Sequence, residues 1–345
     1  MNTRMAQAAV MLALVAGAAW GQPIPAPPSG ASIAPASSLA AVRIWGHGGR
    51  EQDLVGALVQ AWARGFQRSH PAVRIEATLR GDGTAIGGLY TGAADLALME
   101  RAPIAIELDG YKPIVGNDPF EIAIATGSLD RRGHAMAPVL FVHRDNPLRG
   151  ISLQQLDAVL GADHRRGPTN IRTWGGLGLG GAWADRPITV LMPRIADEVP
   201  QFLQTAVMGG SQKWSAQLRE FAPSASASPQ DVARQIMQAL ERDPWAIAIA
   251  HWPDRTPRVK PLAVAAAAPG PYVLPTRISL QQRSYPLTRS VSLFMVRPAG
   301  QALDPTLAAF VRHVLGEEGQ RAIVRDGGYL PLSPDVIRQQ LEKLP

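Results

Sequence analysis

The sequence has no cysteine, only four lysines, few aromatic residues and no uncharged apolar run long enough to cross a bilayer. Without cysteine there are no disulfides, zinc–thiolate centres or thiol nucleophiles, so stability must come from the core. Lipid attachment through cysteine is excluded by the same count. All basic residues other than Lys112, Lys213, Lys260 and Lys343 are arginines, and the net charge is +6. They are scattered, with Arg131-Arg132 and Arg165-Arg166 as the longest clusters, which argues against nucleic acid as a partner. No Gly-x-Ser-x-Gly elbow and no His-Glu-x-x-His occurs, and the seven histidines lie apart at 47, 70, 134, 143, 164, 251 and 313. The expectation is therefore a protein that is not an enzyme, with no metal and no cofactor.

The N-terminus carries Arg4, an apolar run from Ala8 to Ala19 and a small-x-small site at Ala19-Trp20-Gly21. Residues 1–21 read as a secretory signal peptide, since the run is shorter than the roughly 20 residues of a transmembrane helix. Residues 22–40, rich in Pro, Ala and Ser, read as a flexible leader. The expected location is the periplasm. The remaining 300 or so residues, in a chain that is 46% hydrophobic, can bury a large core divided between two lobes.

Alternation of Val42 and Ile44 with Arg43 and Trp45 predicts a strand, broken by Gly46-His47-Gly48-Gly49. Leu54, Leu58, Ala61, Trp62 and Phe66 then recur at helical spacing. Val73, Ile75, Ala77 and Leu79 predict a second strand, and Asp95–Met99 a third, buried one. Such a βαβαβ run implies a parallel sheet, whose ligands sit beyond the carboxyl ends of the strands. Three such ends lead into Gly46–Gly49, Gly81–Thr84 and Glu100-Arg101. Backbone N–H groups in glycine loops can hold an anion; equally, the glycines can serve only tight strand-to-helix turns.

Further on, Ile188–Met192 predicts a buried strand delivering Arg194, followed by a helix over 199–208. Residues 231–240 are amphipathic and Trp245–Ala250 reads as a buried strand. The glycine-dense stretch 167–181 reads as an exposed loop, and Ala263–Pro271 as a surface connection. Trp174 and Trp214 are expected to be buried, with cleft lining as the alternative.

From Ala41 to Leu332 the chain resembles the phosphate-type periplasmic substrate-binding proteins of ABC importers. The resemblance is carried by Gly81-Asp82-Gly83, Ala94–Arg101, Val139–Leu148, Ile151–Leu156, Thr173-Trp174, Tyr285-Pro286-Leu287-Thr288-Arg289, Phe310-Val311, Glu318-Gly319-Gln320 and Gly328–Leu332. It implies an α/β, two-lobed type II periplasmic binding protein fold with two hinge crossings. Lobe 1 would comprise residues 41–144 and 284–345 and lobe 2 residues 145–283, hinged near His143-Arg144 and Arg283-Ser284. It also implies a monomeric receptor that captures a small solute, phosphate or another anion, and hands it to an ABC permease in the inner membrane.

The ligand-binding residues that this resemblance and the loops single out are His47, Gly48, Gly49, Arg50, Asp82, Gly83, Thr84, Glu100, Arg101, Arg194 and Glu198. The family's Arg-x-x-x-Ser-Gly-Thr becomes Arg194 followed by Glu198-Val199-Pro200. Proline removes an amide donor and glutamate adds a negative charge. Two arrangements stay open. In one, Glu198 pairs with Arg194 and Asp82 caps the helix starting at Thr84, giving a non-transport envelope interaction or sensor protein with its anion site filled. In the other, Arg50, Arg101 and Arg194 converge on an anion.

Overall fold

A computed structural model describes residues 40–48, 54–133, 135–223, 228–298 and 300–344. The signal peptide and leader expected over 1–40 lie outside these residues except for Ala40, as do Gly49 and Arg50.

The first part of the chain runs β1 (Ala41–Gly46), α1 (Leu54–Gln67), β2 (Arg74–Leu79), α2 (Ala85–Tyr90), β3 (Leu96–Met99), α3 (Ala105–Val115) and β4 (Phe120–Thr126). The middle runs β5 (Pro138–His143), β6 (Gly150–Ser152), α4 (Leu153–Leu160), β7 (Thr189–Pro193), α5 (Glu198–Ala206), β8 (Leu218–Phe221), α6 (Pro229–Arg242), β9 (Ala246–His251), β10 (Val259–Pro261), β11 (Ala263–Ala265) and α7 (Arg277–Gln281). The last part adds β12 (Ser290–Met295), α8 (Pro305–Leu315), α9 (Glu317–Asp326) and α10 (Pro334–Glu342).

Two five-stranded sheets result, in the orders β2-β1-β3-β12-β4 and β10-β5-β9-β7-β8. Each is built around a parallel trio, β2-β1-β3 in one and β8-β7-β9 in the other. Each trio is then joined, antiparallel, by a strand from a distant part of the chain: β12 on β3 and β5 on β9. The central strand of each trio carries its following loop to the middle of the sheet's carboxyl edge, where the loops of both neighbours also gather. This places residues 47, 82 and 100 close together although they are far apart in sequence.

Amphipathic burial holds each sheet to its helices. On α1, Val55, Leu58, Trp62 and Phe66 are buried at helical spacing against the first sheet and α8. Trp62 adds a hydrogen bond from Nε1 to the Gly319 carbonyl at 3.1 Å. In the second sheet α6 buries Val232, Ile236, Met237 and Leu240 against β5, β7 and β9. Trp174 is fully buried, donating Nε1 to the Trp245 carbonyl, whereas Trp214 is only partly buried.

Two expectations need correction. Pro138–His143 pairs wholly within the second sheet, so the chain passes between sheets over 127–137, before the hinge expected near residue 143. A second passage lies between α7 and β12, and the two are tied by a hydrogen bond from Gly127 N to Arg289 O at 2.8 Å. Of the surface connection expected over Ala263–Pro271, residues 266–271 are exposed, but Ala263–Ala265 forms a strand beside Gly150–Ser152 with Val264 fully buried, because alternation and small side chains suit a short covered strand there.

Candidate functional site

At the carboxyl edge of the first sheet, β1 ends at Gly46, whose φ is +152°. A Cβ there would stand 1.9 Å from the Leu98 carbonyl oxygen, so only glycine lets β1 turn beside β3. His47 N then donates to that same carbonyl at 2.8 Å. The turn presents the His47 imidazole between two carboxylates: Nδ1 is 3.4 Å from Asp82 Oδ1 and Nε2 is 3.4 Å from Glu100 Oε1.

Asp82 does not cap the helix. It opens a single 3₁₀ turn, Asp82–Thr84, whose preceding residue Gly81 makes no side-chain cap, and the N-cap of α2 is Thr84. Its carboxylate turns instead toward Glu100 N at 3.4 Å and Arg101 Nε at 3.8 Å. The cause is the pull of the neighbouring strand ends, which offer a cation and an amide where the helix start offers only an amide. The Thr84 hydroxyl is engaged locally, donating to Gly81 O at 3.0 Å. Gly48 continues the first loop and Gly83 sits within the 3₁₀ turn.

Glu100, just past β3, is 3% exposed. Its Oε1 accepts from the Tyr329 hydroxyl, and its backbone carbonyl accepts from Arg289 Nη2 at 3.2 Å. Burial pushes its carboxyl up to about 7, even though His47, Tyr329 and Arg289 favour the charged form; the nearby Glu198 adds to the rise.

Arg101 lines the cavity beside Glu100, but its guanidinium is already engaged. It forms a bidentate pair with Glu107 on α3, at 2.8 and 2.6 Å. Arg194 turns away from Arg289: its Nη2 donates to Asp197 at 2.9 Å, not to Glu198, and it lines a neighbouring cavity of about 670 Å³ that shares Glu198. The reason is where α5 begins. Glu198 is its first residue, so Arg194 lies in the turn before it and meets Asp197, the N-cap, three residues on.

Glu198 pairs instead with Arg289, a residue sequence reasoning assigned only to the scaffold. Arg289 is 2% exposed and its Nε is buried with no hydrogen-bond partner, while Phe202 stacks its ring 5.9 Å from the guanidinium carbon. Burial disfavours a charged Glu198, but the Arg289 guanidinium outweighs it and holds the carboxyl below the usual range. Together Glu100, Arg101, Glu198, Phe202, Thr288 and Arg289 line a cavity of about 260 Å³ between the two sheets. On the other side of Glu198, His251 at the end of β9 is pushed down to about 4, chiefly by burial. The site thus joins the carboxyl ends of both parallel trios to the second passage between the sheets. Arg289 and Tyr329 lie outside the residues that the sequence points to for the ligand; only the motifs Tyr285–Arg289 and Gly328–Leu332 mark them.

The sequence model of the PBP superfamily domain matches residues 53–318. The chain is 28% identical over 294 residues, 85% of its own length and 84% of the relative's, to the phosphate-binding protein PstS of Pseudomonas aeruginosa PAO1, and equally so to that of strain UCBPP-PA14. Among solved structures it is similar to PstS from Borrelia burgdorferi, at a TM-score of 0.54 and 11% identity, over 85% of this chain and 99% of that one. These relatives are named as binding proteins, and the match extends across both sheets. The chain belongs to the PBP superfamily.

Proposed function

We propose that this protein is the receptor of a phosphate-type ABC importer, capturing a small oxyanion between its two lobes and delivering it to a membrane permease. Similarity to a phosphate-binding protein over 85% of the chain carries this reading, and it does not favour the sensor alternative. The geometry adds an anchor: a buried guanidinium, Arg289, at the wall of a cavity sized for a small solute rather than a drug-sized one. In this reading the lobes are the two sheets with their helices, 41–126 with 290–345 and 138–281, hinged in the passages between them. Export to the periplasm and a monomeric receptor complete the reading; the described residues contain no helix long and apolar enough to cross a membrane.

Of the residues expected at the ligand, Glu100, Arg101 and Glu198 line the cavity, and His47 and Asp82, with Gly48 and Gly83 in their loops, stand behind Glu100 and Arg101; Arg289 takes the role expected of Arg194. Calorimetric titration with phosphate and sulfate is the test. Binding by the wild type, weakened by Arg289→Lys but not by Arg194→Ala, is the expected result. Heat with neither anion would remove the receptor reading.

A further inference from the structure

We infer that Glu198 is a built-in occupant of the anion position on Arg289, and that a solute oxyanion binds by expelling it. This rests on the receptor reading above. The two partners of the pair are unequal. Arg289 is sealed at 2% exposure and anchored by Glu100 O and by Gly127 N on its own carbonyl, so it cannot move out to water. The Glu198 side chain is 61% exposed on the first residue of α5, so it can swing to solvent and stay favourably placed near the helix N-terminus. A buried guanidinium left without an anion is strongly unfavourable, so release of Glu198 has to be matched by arrival of another acceptor. The unpartnered Arg289 Nε offers that newcomer a second hydrogen bond, which Glu198 in its present position leaves unmade.

Two consequences follow for specificity. A tethered carboxylate competes at high effective concentration, so a monoanion in solution has little advantage over it. A doubly charged tetrahedral oxyanion, able to reach both Nη2 and Nε, has more. Glu198 therefore selects against monoanions while weakening affinity for the true ligand. It also ties an element of the second sheet to the passage leading into the first, so expulsion is coupled to rearrangement between the two halves.

The test compares wild type, Glu198→Gln and Glu198→Ala by calorimetry with phosphate, sulfate, nitrate and formate, together with a carbon-13 NMR titration of the Glu198 carboxyl. Both variants should bind phosphate at least about ten-fold more tightly, a gain of roughly 1.4 kcal/mol, and should admit nitrate or formate that the wild type rejects. In the wild type the Glu198 carboxyl should titrate below the ordinary range and return toward it in Arg289→Lys. Phosphate binding unchanged by both substitutions overturns the inference while leaving the receptor reading intact. If no protein of the set binds any anion, the receptor reading fails. An ordinary Glu198 midpoint in the wild type overturns the inference whatever the anion results.

Discussion

Glu100 and His251 hold opposite pH dependences in the folded protein, and Glu100→Gln should separate one from the other. Burial raises the Glu100 carboxyl from 4.5 to about 7 and lowers the His251 imidazole from 6.5 to about 4. Between pH 4.5 and 7 the folded protein keeps the Glu100 proton that the unfolded chain has lost. Stability from this group is thus complete below pH 4.5 and falls as pH rises through the folded value, at about 1.4 kcal/mol per pH unit and about 3 kcal/mol in all. For His251 the unfolded chain binds the proton that the folded protein refuses. Its contribution is complete above pH 6.5 and is lost as pH falls toward 4, by a similar ~3 kcal/mol.

In the wild type these two groups therefore oppose one another between pH 4.5 and 6.5. Urea unfolding of wild type and Glu100→Gln at half-unit steps from pH 4.5 to 8 isolates the difference. The variant should gain about 3 kcal/mol relative to wild type between the two ends of that range, because glutamine carries no charge to desolvate. His251→Gln should show the reverse, losing stability relative to wild type as pH rises from about 4 to 6.5, because it lacks the contribution that the buried neutral imidazole makes there. A difference between Glu100→Gln and wild type that stays constant with pH would refute the assignment of a buried, protonated carboxyl to the end of β3.

Gly46→Ala should unfold the first sheet or lower the melting temperature far more than Gly81→Ala, since the former drives a Cβ into Leu98 O and the latter, at φ +98°, meets nothing within 4 Å; differential scanning calorimetry distinguishes them, with about 1–3 kcal/mol of backbone strain expected for the second. Trp62→Phe should cost roughly 1–3 kcal/mol in urea, because it leaves the buried Gly319 carbonyl without its 3.1 Å donor. Arg194→Ala should change stability by less than about 1 kcal/mol, as its pair with Asp197 is solvent-exposed.

The scaffold was legible because its signals are local. Val42 and Ile44 alternate in a strand, and Val55, Leu58, Trp62 and Phe66 share one face of α1, so period alone recovers both. His47, Asp82 and Glu100 were legible one step further on, since a parallel trio with β1 in its centre must gather their loops. Charge pairing was not legible. Arg194 and Glu198 are four residues apart, a spacing that favours pairing only inside one helix, and the helix starts at the second of them. The real partner, Arg289, is 91 residues from Glu198, and Tyr329 is 229 from Glu100. Both arrive by the chain's return to the first sheet, where their neighbours in sequence are packing residues.

That return also explains why so acidic a site is tolerable. Asp82 and Glu100 share His47, Glu100 is held as the neutral acid below about pH 7, and Glu198 is matched by Arg289. The carboxylates of the site do not form a fixed cluster of negative charge. One can stay protonated, one faces an imidazole, and only Glu198 has to move. The potential at Arg289 is therefore governed by one exposed side chain, so substituting that residue should alter anion affinity at a cost in stability without anion, since the buried guanidinium loses its partner.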